Sequence, residues 1–288
     1  MTDAAEDESS TVLLDVANDG VATLTLNRPH RNNAWNPVLE RRFYQLLGEA
    51  DHDDHVRAVV LTGAGRSFCP GVDSQRLDGL AGSALDLTGR VSPAFTYAFR
   101  KPLIAAVNGA CAGLGLVQAL MCDVRFAARG AKFATSFSRR GLAGEYGMTW
   151  LLPRMIGTER ALDLLISGRT IDADEALAIG MVSRVTEPGE VLAAATAYAG
   201  DLAANCSPTS MAIIKHQVLT AIDASYEEAM RGAYRAMAAL AAGPDFREGM
   251  DSFLGKRPPK FPPLRAGLRP AEVTGTRMPV LDVDPMRP

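Results

Sequence analysis

Lys101 to Asp123, KPLIAAVNGACAGLGLVQALMCD, constrains the fold of this chain more than any other stretch. It opens on Leu103-Ile104-Ala105-Ala106-Val107, an apolar run of the length and composition of a buried strand. A Gly-rich turn follows at Asn108-Gly109 and Gly113-Leu114-Gly115, and Leu116 to Met121 reads as the first turns of an apolar helix. The opening N–H groups of such a helix, that of Leu114 among them, have no acceptor within it. A start of this kind attracts negative charge, because free donors and the positive end of the helix dipole point the same way. A tight turn packed under a core helix explains the same residues equally well.

A second stretch has the same design. Ala58-Val59-Val60-Leu61-Thr62-Gly63 is another short buried-strand pattern, followed by Gly65-Arg66-Ser67-Phe68-Cys69-Pro70-Gly71-Val72-Asp73. If the two strands are neighbours in a sheet, the N–H groups of Val72 and Leu114 converge on one oxygen, the arrangement by which two backbone donors stabilise an oxyanion. Together the patterns SFCxGxD and KPxIAAVNGxxxGxGxxxALxCD, at this separation, resemble the enoyl-CoA hydratase/isomerase, or crotonase, family over about Val12 to Leu254. The resemblance implies an α/β fold, a crotonase-like spiral of repeated β-β-α units with a C-terminal helical segment. It also implies that Val72 and Leu114 hold the carbonyl oxygen of an acyl-CoA thioester. Arg28, Arg31, Phe68, Gly71, Asp73, Gly113, Phe137, Tyr146 and Trp150 are the positions it marks for contact with substrate or CoA, with the two arginines set against the adenine and its phosphates.

Composition adds boundaries rather than chemistry. With 288 residues, 47% hydrophobic and 22% charged, the chain has the make-up of a soluble globular protein. A formal net charge of -3 gives no sign of a nucleic-acid partner, for which a basic face is expected. No apolar run is long enough to span a bilayer, and the acidic start is unlike a signal peptide, so a cytoplasmic location with no membrane partner is the default expectation. Cys69, Cys111, Cys122 and Cys206 fit no metal-ligand spacing and read as reduced packing residues. Cys69 has no histidine near it in sequence to act as a base, and His52 and His55 read as part of a solvated acidic helix end. No metal or redox cofactor is expected; coenzyme A enters only as part of the substrate.

Along the chain, residues 1–10 read as an acidic, disordered tail. Val12 to Val16 and Val21 to Leu26 alternate around Asn18-Asp19-Gly20, an edge hairpin. Asn36 as cap and Pro37 in the first turn open a helix over Val38 to Ala50. Gly79, Gly82 and Gly89 break any period between Asp73 and Tyr97, the region in which the family builds its acyl pocket. Val124 to Ala128, Lys132 to Ala134 and Met181 to Val185 read as strands. Met148 to Ile156, Glu159 to Ile166, Ala173 to Ile179 and Val191 to Ala203 read as helices. The crotonase-like core is expected over residues 11–205. Thr209 to Ile222, Tyr226 to Ala241 and Phe246 to Leu254 then form a helical segment over residues 206–256 that, by resemblance, builds trimers or hexamers. Residues 257–288 read as a Pro-rich extended arm or disorder.

Hydration of an enoyl thioester calls for a carboxylate that activates water and a second acid that protonates the α carbon. The family's hydratases place glutamates at the positions occupied here by Val117 and Phe137, so both are missing. Gln118 is one residue beyond and faces elsewhere on the helix. Glu145 stands where the dienoyl-CoA isomerases and chlorobenzoyl-CoA dehalogenases carry a working aspartate, and its apolar neighbours would raise its pKa. The competing explanation is a helix-start carboxylate paired with Arg139 or Arg140. Tyr146 is a hydrogen-bond donor to substrate or Glu145, or a packing residue. The expected function is an acyl-CoA enzyme, with hydration of a 2-enoyl-CoA first by base rate and double-bond isomerisation through Glu145 second. A dehalogenase, a thioesterase or a non-catalytic acyl-CoA-binding subunit follows behind.

Overall fold

In the computed structural model, which describes residues 7–74, 94–265 and 267–276, the chain enters through one helical turn, Glu8–Thr11 (α1). The expected disorder of the tail is corrected for residues 7–10: the Asp7 carboxylate accepts from the N–H of Ser9 at 3.1 Å and caps the turn. Residues 1–6 lie outside the described part. Val12–Val16 (β1) and Val21–Leu26 (β2) form the edge hairpin, with Gly20 at φ 86° where the turn needs the left-handed region. Asn36 then caps Pro37–His52 (α2) by accepting from the N–H of Leu39 at 2.8 Å.

From Ala58–Gly63 (β3) onward the chain repeats one pattern. β3 is followed by Ser67–Cys69 (β4) and, past residues 75–93, by Ala94–Ala98 (α3). Leu103–Val107 (β5) and Ala110–Ala112 (β6) lead to Leu114–Met121 (α4). Val124–Ala128 (β7) and Lys132–Ala134 (β8) lead through a loop to Met148–Ile156 (α5) and Thr158–Ser167 (α6). Thr170–Asp172 (β9), Ala173–Ala178 (α7) and Arg184–Thr186 (β10) follow. In each repeat the first strand joins a six-stranded sheet, ordered β1-β2-β3-β5-β7-β10, and the second joins a four-stranded sheet, ordered β4-β6-β8-β9. This is the spiral of β-β-α units expected from the sequence. β4 and β6, however, lie inside stretches that read as turns, because three residues carry no measurable period. The last strand begins at Arg184 rather than Met181, since the N–H groups of Met181 and Val182 turn back to the Ala176 carbonyl at the end of α7.

Apart from β1, every strand of the large sheet runs parallel to its neighbours, and β3 and β5 are buried at every residue. That is why they read as continuous apolar runs. Ala58, Val60, Ile104 and Ala106 face a stripe of Val191, Ala195, Ala199 and Ala203 on Val191–Asn205 (α8), whose small side chains repeat every fourth residue. Val59, Leu61, Leu103, Ala105 and Val107 face the larger core, shared with α2 and α4.

The C-terminal segment comprises Pro208–Ala221 (α9), Tyr226–Ala241 (α10) and Pro244–Leu254 (α11), followed by an extended arm and Pro270–Thr274 (α12). Arginines pin the arm to the core: Arg57 donates to the Phe261 carbonyl (2.7 Å) and Arg100 to that of Leu268 (3.0 Å). Its last described residue, Thr276, meets the His216 ring of α9 at 3.1 Å. The remainder of the Pro-rich tail, residues 277–288, lies outside the described residues, as does the expected acyl-pocket region from 75 to 93.

Candidate active site

β4, β6 and β8 are parallel neighbours, so their carboxyl ends release three segments at the same edge of the small sheet. The first carries Val72, the second begins α4 at Leu114, and the third is the loop bearing Glu145. Ligands of open α/β sheets bind at such strand ends. The first two segments touch directly. A Cβ built on Gly71 would lie 3.1 Å from the Ala112 carbonyl oxygen and 3.6 Å from the Gly113 Cα. One on Gly115 would lie 2.1 Å from the Cys69 carbonyl oxygen, closer than any side chain tolerates, so only glycine lets α4 begin here.

Trp35, which sequence reasoning passed over, orients Val72. Its N–H donates to the Gly71 carbonyl (2.8 Å) and its carbonyl accepts from the N–H of Asp73 (2.9 Å), a parallel bridge around Val72. In such a bridge the middle residue directs its own N–H to the opposite side. The Val72 N–H therefore faces away from Trp35, and no acceptor takes it or the Leu114 N–H among the described residues. The indole of Trp35 is wholly buried and held by Glu40, Nε1 to Oε2 at 2.8 Å. Asn33 and Asn108 complete the frame. The Asn33 amide donates to the carbonyls of Ala64 (2.9 Å) and Ser67 (2.7 Å), and that of Asn108 to Gly63 (2.8 Å) and Gly65 (2.9 Å). Two side chains thus lock both turns together.

The third segment is tied to the second by the Gly113 N–H, which donates to the Ala134 carbonyl at 3.0 Å. From there the loop turns tightly, with Ser136, Gly141, Tyr146 and Gly147 all at positive φ. The Phe137 carbonyl accepts from the N–H groups of Arg140 (2.9 Å) and Leu142 (3.0 Å), and the Glu145 carbonyl accepts from that of Met148 (3.0 Å) at the start of α5. Glu145 and Tyr146 are half-buried. Arg139 donates to the Ser167 carbonyl (2.8 Å) and Arg140 to that of Ser136 (3.2 Å). Among the described residues, the ends of these strands thus carry two backbone donors, one at a helix start, and the loop after β8 carries the Glu145 carboxylate; donors of this kind stabilise an oxygen anion and a carboxylate can move a proton.

The family model for enoyl-CoA hydratase/isomerase matches residues 16–263. The chain belongs to that family. A 1,2-epoxyphenylacetyl-CoA isomerase of Escherichia coli is 37% identical over 261 residues, covering 86% of this chain and 97% of the relative. An enoyl-CoA hydratase of Alternaria alternata is 34% identical over 247 residues, covering 84% and 83%. Among solved structures, an enoyl-CoA hydratase of Bacillus anthracis superposes with a TM-score of 0.83 at 28% identity, over 88% of this chain and 99% of that one.

Within this enoyl-CoA hydratase/isomerase fold several expected contact residues have other duties. Arg28 and Asp73 are buried and face each other at 3.3 Å, while Arg31 reaches the same carboxylate at 2.8 Å. Asp73 thus answers both arginines, the buried Arg28 and the half-buried Arg31, and fastens residues 28–35 beneath Val72. Phe68 is wholly buried in the core. Val117 and Phe137 are buried and apolar, so the two positions where the resemblance looks for glutamates are hydrocarbon walls. Gln118 faces away from Val117, accepting from Thr96 (2.7 Å) and donating to the Tyr44 hydroxyl (3.0 Å). Burial raises the Tyr44 pKa, so the phenol stays neutral; Tyr146 lies close enough to add to that shift. Trp150 is half-buried and stands further along α5, against Tyr97. Burial pushes the Cys69 thiol up to about 12, which removes it as a nucleophile.

Proposed function

We propose that this protein moves a proton along the acyl chain of an enoyl-CoA thioester and so shifts its double bond. The thioester oxygen accepts from the N–H groups of Val72 and Leu114. Glu145 removes a proton from the carbon next to the double bond, leaving a dienolate whose oxygen charge rests on those two donors and the start of α4. The protonated Glu145 then returns the proton to the carbon at the far end of the conjugated system. Atoms and charge balance without a cofactor, and coenzyme A enters only with the substrate. The apolar character of Val117 and Phe137 carries this reading: one carboxylate suffices for a proton shuttle, whereas water addition calls on two.

Hydration is the second reading, and the name of the Alternaria alternata relative favours it. The two differ in sign in one assay. Isomerisation of 3-hexenoyl-CoA creates the absorbing conjugated enoyl thioester, and hydration of crotonyl-CoA removes it. A rise with the first substrate and none of the second change supports the shuttle. Exposed apolar side chains on the C-terminal helices, including Tyr226, Phe253 and Leu254, support self-association of the kind the family resemblance implies, a trimer or a dimer of trimers.

A further inference from the structure

Two polar side chains stand one turn apart on the buried face of α2, Glu40 and Tyr44, among Leu39, Phe43, Leu46 and Leu47. Each is tied to one of the two segments that carry the oxyanion donors. Glu40 accepts from the Trp35 indole, Nε1 to Oε2 at 2.8 Å, and Trp35 brackets Val72 with its own N–H and carbonyl. The Trp35 ring also packs edge-on to Phe43 (5.1 Å) and to Tyr44 (6.4 Å), contacts that fix its plane together with the indole bond. On the other side the Tyr44 hydroxyl accepts from the Gln118 amide at 3.0 Å. Gln118 stands on α4 one turn after Leu114, and its side-chain carbonyl accepts from the Thr96 hydroxyl of α3 at 2.7 Å. Gln118 and Thr96 are wholly buried, and both ends of the amide are used, so α4 cannot turn or slide on α2 without breaking a bond in the core.

We propose that Glu40 and Tyr44 are positioning residues, which through Trp35 and through Gln118 hold the N–H groups of Val72 and Leu114 to one oxygen. The proposal rests on the reading of those two groups as donors to a thioester carbonyl, and it names what sets their separation. Donors to a developing oxyanion act only within about 2.7–3.1 Å of it, and the two here come from segments far apart in the chain. Apolar packing does not fix a distance that closely, whereas a hydrogen bond is directional. With both bonds made to one helix, α2 serves as a common gauge for the two donors. Stability alone would be met as well by leucine and phenylalanine at these positions, because the bonds of a buried polar group do little more than offset its desolvation.

Para-dimethylaminocinnamoyl-CoA tests this without turnover, because its absorption moves to the red when hydrogen bonds draw charge onto the thioester oxygen. The wild type is expected to bind it with a red shift. Tyr44→Phe removes only a hydroxyl, and Glu40→Met removes the acceptor of the indole N–H. Both are expected to bind the probe with little loss of affinity and a smaller shift, and to isomerise 3-hexenoyl-CoA about 10–100-fold more slowly at saturation. Glu40→Gln keeps an acceptor oxygen for the indole and is expected to retain the shift. Trp35→Phe, which takes away the donor instead, replaces Glu40→Met if that variant does not fold. A full shift in Tyr44→Phe and in Glu40→Met, whatever their urea midpoints, would show the bonds to be structural only and overturn the proposal. A full shift in one of them would remove that residue's part. A loss in Glu40→Gln as large as in Glu40→Met would assign the effect to charge and remove Glu40 as a positioning acceptor. A wild type that leaves the spectrum of the bound probe unmoved would instead reject the reading of Val72 and Leu114 as oxyanion donors.

Discussion

Asp73 is the residue on which the geometry of Val72 depends. It is buried, it answers two arginines, and its N–H closes the bridge to Trp35. Replacing it with alanine leaves Arg28 buried beside a vanished counter-charge, so Asp73→Ala is expected to lose about 3 kcal/mol of stability, measurable by urea unfolding. A loss of thioester binding without loss of stability would instead assign Asp73 to the ligand. None of this was legible in the sequence, where a loop arginine and a distant aspartate give no sign of being partners. The oxyanion residues were legible because their signal is backbone conformation: glycines at fixed spacing after two apolar runs. Trp35 was not, since its part is played by main-chain atoms that any residue type carries.

At the scale of elements, the long strands and helices could be read from periodicity, whereas of the second sheet only Lys132–Ala134 was legible. β4, β6, β8 and β9 are three residues each, and their register follows from the strands of the large sheet that precede β4, β6 and β8 in the chain. The start of α4 is the element most exposed to test. Gly115→Ala puts a methyl carbon against the Cys69 backbone, which has no room to yield. The variant is expected to lose about 1–3 kcal/mol and most of its thioester affinity, by unfolding and binding titration, because the Leu114 N–H moves away from Val72. The C-terminal arm gives a pH dependence. Burial lowers the pKa of His216, which stays neutral in the folded state while the unfolded residue takes up a proton near its ordinary 6.5. Its contribution is complete above that value and shrinks as pH falls below it, because the unfolded state then binds the extra proton. Urea midpoints at pH 5 and pH 7.5 are expected to differ less in His216→Gln than in the wild type; an unchanged difference would discount this histidine.

For the whole molecule, the large sheet with its buried central strands sets the frame, and the short second sheet brings the ends of β4, β6 and β8 to one edge. Family membership follows from that frame, and reaction type does not, because it turns on a few side chains standing on it. Here Val117 and Phe137 are buried hydrocarbon and Glu145 stands half-buried in the loop after β8. No helix of the described residues is long and apolar enough to cross a membrane, and those residues hold no cluster of His, Cys, Asp or Glu able to bind a metal. The most direct test follows absorbance of the conjugated enoyl thioester when the protein meets 3-hexenoyl-CoA, with Glu145→Gln beside it. The expected result is a rise in the wild type and a rate lower by about 10²–10⁴ in the variant, with thioester affinity retained. A wild type and variant that isomerise equally fast, or a wild type that only consumes crotonyl-CoA, would contradict the single-carboxylate shuttle.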